Sequence, residues 1–444
     1  MFFRRRRFAP EDSRDFRKPQ PASNNLLQTC DIPDSEKDFA VSVEENAQFA
    51  VSVSEVKAGV GKTHPVSLRT LACSHTGRTI LAGICFCIFV LLAMFLPSSF
   101  LVQTAGPAIN VNSDIDGKPI VQISGVPTEP SETKLFMTTV SAWGAPTQGV
   151  PGAQALAALL KGDWQLIPLR AFYPPEVSAD EVAAQNNQLM ANSQDSAALL
   201  AFELAGFAVQ MDVTVVGVDQ KKPSGKVLQP GDVIRAIGVN SGHATVTDAK
   251  LTPIKSHYEL AQILDRTPPK SRVKLEIERA GERKIVEFAT LPYPPDNTGW
   301  VHPGSLLGVA ITVENVKIPG KVEYIVEGIG GPSAGNMFTL ALYDLLTPGS
   351  LGGKAKIAGT GTVAWDGDVG PIGGIVHKLR GAAKAGATDF LAPAENCGET
   401  IGMEPRGLNI WAVRSTDESI KVVKAIAAGD TAGLRTCKDV AGAS

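Results

Sequence analysis

Gly330-Gly331-Pro332-Ser333-Ala334-Gly335 sets a hydroxyl among small residues, directly before an apolar segment with helical spacing. Glycines on both sides leave room there for a substrate carbonyl. Further on, Gly370-Pro371-Ile372-Gly373-Gly374-Ile375 leads to Lys378. A serine becomes a nucleophile when a neighbouring base takes its proton. The pair Ser333 and Lys378 points to a Ser–Lys dyad rather than a Ser–His–Asp triad. The backbone N–H groups of Gly331, Ser333 and Ala334 are candidates for holding an oxyanion. They fall where the first N–H groups of a helix lack internal partners and sit at the positive end of its dipole. Each residue also has a plainer reading. Gly-Pro-Ser alone fits a helix N-cap, and a lone lysine often extends its ammonium to water.

Two helices must position this pair. Ala334, Met337, Phe338, Ala341, Leu342 and Leu345 form one apolar stripe, and Thr347-Pro348-Gly349 ends it. Pro332 suits the first turn of that helix, which would put Ser333 at its N-terminus. Ile375 to Ala385 is the second helix, with Gly386 as its cap. Lys378 points toward the face formed by Ile375, Leu379, Ala382 and Ala383, while Arg380 and Lys384 lie opposite. An ammonium aimed at apolar surroundings is disfavoured, so its pKa falls. A base working near neutrality needs about 7–8, against about 10.4 for free lysine.

Upstream, strands are expected around Ile120–Ile123 and Leu135–Val140, and a short helix over Ala153–Leu160. Ser178 and Glu181 form a capping box for a long helix reaching Leu204, with Gly206 behind it. From Phe207 to Leu291 the pattern is strand-rich. Pro230-Gly231 turns into the strand Asp232–Ile237, and His257–Asp265 is helical. Val273–Arg279 and Lys284–Phe288 alternate as a hairpin. This order, centred on Leu228-Gln229-Pro230-Gly231-Asp232-Val233-Ile234, resembles a bacterial PDZ domain. The resemblance implies capture of an extended peptide or C-terminus as an added strand. The peptide-binding loop is not identifiable, and a β-rich spacer without a ligand fits the same pattern.

The 42 basic and 45 acidic side chains of this 444-residue chain leave no basic field for nucleic acid. Residues 1–78 begin with Arg4-Arg5-Arg6-Arg7 and stay polar, as expected of a disordered tail. Ile80 to Val102, interrupted by Pro97, is apolar all round and long enough to span a bilayer. Arg69 and Arg78 precede it, and the next basic residue after it is Lys118. The positive-inside rule then puts the tail in the cytoplasm and the rest outside. Cys397 and Cys437 alone among the six cysteines fall on that outer side, where a disulfide or two free thiols are possible.

The Ser333 and Lys378 segments together resemble the proteolytic domain of the Lon family. By that resemblance Gly331–Gly335 carries the nucleophile and Lys378 is the general base. Gly359-Thr360-Gly361-Thr362 is the strand whose Thr360 hydroxyl helps hold the lysine. The whole layout is similar to the membrane-anchored, PDZ-containing Lon-like proteases of bacteria. The expected fold is a multidomain α/β (α+β) chain: tail 1–78, transmembrane helix 79–102, a joining region 103–206, a PDZ domain 207–292 and a Lon-type proteolytic domain 293–444. Three departures stand out, one being a cytoplasmic tail longer than the resemblance requires. Gly330 replaces the acidic residue common before Gly-Pro-Ser. The only phosphate-loop candidate, Gly59-Val60-Gly61-Lys62-Thr63, has Val56 at the first glycine position and lies in the tail. The reading is therefore an endopeptidase independent of ATP, with no cofactor or metal and with envelope proteins or peptides as substrates. Membrane lipid would be a partner through the span, and a homo-oligomer, by resemblance a hexamer, is implied. The alternative is a tethered PDZ adaptor that no longer cleaves.

Overall fold

The computed structural model describes residues 75–442, apart from positions 116, 175–176, 240–249 and 327. The basic run, Cys30, Cys73 and the Gly59–Thr63 segment lie outside the described residues.

Helix α1 (His75–Phe95) is, among the described residues, the one helix long and apolar enough to cross a membrane. It is shorter than the 79–102 span expected from the sequence. Pro97 cannot donate the hydrogen bond that would continue it, and Phe100-Leu101-Val102 open strand β1 (Phe100–Asn110) instead, with Leu101 and Val102 buried. Apolarity without a period does not distinguish a helix from a buried strand.

The chain continues through β2 (Val121–Ser124), β3 (Lys134–Trp143), α2 (Gly152–Leu160), β4 (Gln165–Pro168), α3 (Leu169–Phe172) and α4 (Ala179–Leu204). The expected capping box is present, with Ser178 accepting from the Glu181 N–H. Then come β5 (Gln210–Val218), β6 (Val233–Val239), α5 (His257–Asp265), β7 (Arg272–Arg279) and β8 (Glu282–Ala289). The last part holds β9 (Val309–Lys317), β10 (Lys321–Tyr324), α6 (Gly335–Leu346), β11 (Lys356–Gly359) and α7 (Ile375–Lys384). It closes with β12 (Asp389–Pro393), α8 (Cys397–Thr400), β13 (Asn409–Val413), α9 (Thr416–Ala428) and α10 (Cys437–Ala441).

One sheet has the order β13-β12-β11-β3-β1-β4. Its β13-β12-β11-β3 side is parallel and its β3-β1-β4 side antiparallel. Region 103–206 is thus more than a connector packed on a separate domain: β1, β3 and β4 are half of the sheet that also holds residues 356–413. The second sheet runs β8-β7-β6-β5-β9, so it intervenes in sequence between the two halves of the first. Its last strand, β9, comes from beyond the expected boundary at residue 292.

The first sheet buries both faces, as parallel sheets do. Ile357, Leu391 and Val413 join the core under α6, with Met337, Phe338 and Leu340. Ala358, Phe390 and Ala412 join the core under α7, with Ile375, Leu379 and Ala382. Helices α6 and α7 therefore cover opposite faces and meet at the carboxyl end of β11, where open α/β sheets form crevices.

Candidate active site

Thr360 follows the last residue of β11, and Ser333 and Lys378 reach it from the two sides. Lys378 Nζ lies 2.8 Å from Ser333 Oγ and 2.8 Å from Thr360 Oγ1. The Thr360 hydroxyl donates to the Ser333 carbonyl at 2.9 Å, which orients its lone pairs toward Nζ. Lys378 is 3% exposed and Thr360 is fully buried, while Ser333 is half-buried and reachable. Burial pushes the Lys378 ammonium down to about 7. Among the described residues no carboxylate is paired with it to restore the charge. The stem of Lys378 stays in the core with Ile375 and Leu379, so it does not reach water.

The serine is not on the helix itself. Helix α6 starts at Gly335 with Ala334 as its N-cap, so Pro332 and Ser333 lie ahead of it rather than in its first turn. The Ser333 carbonyl explains this. It accepts from the Gly361 N–H at 2.9 Å as well as from Thr360, so it is turned away from the helical N–H four residues on. Ser333 instead occupies a turn just ahead of the helix, where its hydroxyl is free to face Lys378.

The three expected oxyanion donors part company. The Gly331 N–H donates to the Asn186 carbonyl at 3.1 Å and is already engaged. Among the described residues no backbone acceptor meets the N–H of Ser333 or Ala334. Those two therefore remain the candidates for holding an oxyanion formed beside Ser333 Oγ.

Helix α4 was not expected at this site. Besides the Asn186 carbonyl it supplies Ser193, whose hydroxyl donates to the Pro332 carbonyl at 3.0 Å. A Cβ at Gly330 would sit 3.0 Å from Asn186 Cβ, so the close approach of α4 leaves no easy room for a side chain there. A Cβ at Gly335 would come within 2.6 Å of Ser193 Oγ and 2.9 Å of Val363 Cγ1. Asn186 acts through its backbone, so its residue type carries no signal. Ser193 is buried on the same helix, but a serine in sequence does not announce that burial. Asn336, buried at the start of α6, ties in through its N–H to the Gly361 carbonyl at 3.2 Å.

Cys397 and Cys437 form a disulfide joining α8 to α10, far along the chain from Ser333. No cluster of three or more metal-ligating side chains occurs among the described residues.

Residues 309–425 match the Lon protease (S16) C-terminal proteolytic domain, a stretch containing Ser333, Thr360 and Lys378. Lon protease 1 of Hydrogenovibrio crunogenus is 35% identical over 95 residues, which are 21% of this chain and 11% of that protein. The Lon protease of Frankia alni is 46% identical over 66 residues, 15% of this chain and 7% of that one. The chain thus spans about a tenth of the length of the curated relatives it matches. Among solved structures, the PDZ domain of an SdrC-like protein from Listeria monocytogenes is 19% identical, with a TM-score of 0.17, covering 22% of this chain and 85% of that one. Residues 309–425 are thus similar to the proteolytic domain of the Lon proteases, which are Ser–Lys dyad serine peptidases.

Proposed function

We propose that this chain is a membrane-anchored serine endopeptidase that cleaves extracytoplasmic proteins or peptides without ATP. The observation that carries the reading is the buried Lys378 amine 2.8 Å from Ser333 Oγ. With a pKa near 7 the amine is substantially neutral at physiological pH. It accepts the Ser333 proton as Oγ attacks the scissile carbonyl carbon, and the carbonyl electron pair moves onto oxygen. The Ser333 and Ala334 N–H groups hold that oxyanion. Collapse breaks the C–N bond, and the amine leaves with the proton from Nζ. Water then repeats the sequence on the acyl-enzyme, releasing the acid and restoring the Ser333 hydroxyl. Peptide hydrolysis is downhill, so no step requires a nucleotide.

The remaining layout follows from the same reading. Thr76–Phe95 is the anchor, with the tail on the cytoplasmic side and everything from β1 onward outside. The sheet β8-β7-β6-β5-β9 with α5 is the PDZ unit, inserted between the two halves of the protease sheet. Strand β9 leaves that unit and runs through β10 toward Ser333, while the Tyr258 hydroxyl on α5 donates to Asp417 on α9 at 2.7 Å. Both connections suit a module that delivers or gates substrate.

The test is cleavage of an unfolded protein such as casein by the purified full chain in detergent, without nucleotide. The wild type cleaves, and Ser333→Ala lowers the rate by at least about a thousandfold. Equal rates for the two, or no cleavage by either, sinks the proposal; the latter outcome favours a tethered binding protein.

A further inference from the structure

We infer that helix α2, with α3 and the Trp143–Trp164 pair, is a second membrane contact that lies in the lipid headgroup layer beside the exit of α1. The inference rests on reading α1 as the span.

Helix α2 is two-faced. Ala158 is buried and Ala155 partly buried, packed with Val102 and Val150. Leu156, Leu159 and Leu160 share the other face at the spacing of one helical stripe, and are 48%, 70% and 80% exposed. Three neighbouring leucines turned to water on one short helix are not an ordinary surface.

Continuity with the span identifies the occupant. The first residue of α2, Gly152, donates its N–H to the carbonyl of Leu96, one residue past the end of α1. A Cβ at Gly152 would run into the Ala93 carbonyl and lie 3.5 Å from Met94 Cα, so α2 begins level with the last turn of the span. The N–H of Leu169, opening α3, donates to the Ser99 carbonyl, which fixes exposed Phe172 one turn from the same exit. A nine-residue helix is about 14 Å long, so its leucines stay close to the bilayer boundary. The rim has the chemistry of that boundary. Trp143 and Trp164 meet at a tilt with ring centres 5.1 Å apart, Lys161 Nζ lies 4.2 Å from the Trp164 ring centre, and Arg170 is exposed two residues before Phe172. Amphipathic indoles and basic side chains at the edge of an apolar stripe suit the headgroup zone. Asp163 is the one acidic residue in this segment; its carbonyl is held by Arg380.

This platform is also joined to the catalytic helix. Arg380 on α7 donates to the Asp163 carbonyl at 3.1 Å, and His377 Nε2 lies 3.1 Å from Gln165 Oε1. The helix that aims Lys378 inward is thus braced on its outer side by the segment following α2. The bilayer would hold Ser333 at a fixed height above the lipid, favouring substrates near the membrane.

Spin labels on the full chain reconstituted in liposomes test this. Cys30, Cys73, Cys85 and Cys87 are replaced by serine, and single cysteines are placed at Ile88 in the span, at Leu159 and Leu156 on α2, and at Glu282 on the distant hairpin. Collision with oxygen, which dissolves in hydrocarbon, is compared with collision with a polar nickel chelate. The expected result is chelate access at 156 and 159 about tenfold below that at 282, as at 88. Chelate access at 159 equal to that at 282 overturns the inference. So does exclusion of both reagents at 159, which means a covering protein or second copy. A water-exposed label at 88 would instead refute the span, and the platform with it.

Discussion

Lys378 is held neutral by the same burial that makes it expensive to fold. Its carbon stem is buried, its amine meets two hydroxyls among the described residues, and its pKa falls to about 7. Cleavage therefore needs pH above about 7, and kcat should fall tenfold per unit below it, read from an acid limb in the pH–rate profile. Between about pH 7 and pH 10 the unfolded chain carries a proton on this lysine that the folded chain lacks, so stability rises with pH across that window. Lys378→Met should abolish cleavage yet raise the thermal midpoint. The gain is about 5 kcal/mol below pH 7 and vanishes toward pH 10. Thr360 accepts from the ammonium and so favours it. Thr360→Val should lower kcat by at least about tenfold with little change in KM, and move the acid limb to lower pH. An unmoved limb would mean that the hydroxyl only fills space.

Helices α6 and α7 were legible because each carries an apolar stripe with a punctuating glycine or proline, and Lys378 lies on one of the stripes. Local pattern sets Pro332 and Ser333 at the start of α6, because it does not reveal that the Ser333 carbonyl is claimed by Gly361 and Thr360. Helix α4 was legible as a helix from its capping box. Its grip on the catalytic loop was not, since Asn186 works through a carbonyl. Gly335→Ala tests that grip. The added methyl must displace Ser193 or Val363, and an ångström of misplacement costs about a hundredfold in kcat. Retained kcat would show that α4 does not set the loop. The Cys397–Cys437 bridge closes a loop with a sequence separation of 40. Replacing both cysteines with serine should cost about 3–4 kcal/mol, read as a lowered denaturation midpoint, with the dyad's pH profile unchanged.

The sheet that ends at Thr360 is assembled from segments far apart in the chain. Sequence pattern located its parts but drew the boundary at residue 293, because strand pairing across some 200 positions leaves no local trace; the hydrogen bond joining Thr138 on β3 to Gly359 on β11 spans 221. A fragment 293–444 lacks β1, β3 and β4 and should be insoluble, whereas 97–444 should fold, as read by circular dichroism and a cooperative melt. The central claim is that Ser333 and Lys378 form a complete dyad needing neither nucleotide nor metal. The most direct measurement is the rate at which a fluorophosphonate labels the full chain, without ATP and with chelator, from pH 5 to 9. The account predicts a single adduct on Ser333, labelling that rises with a midpoint near 7, and its loss in Lys378→Ala. An unlabelled Ser333, or equal labelling of the Lys378→Ala protein, would contradict it.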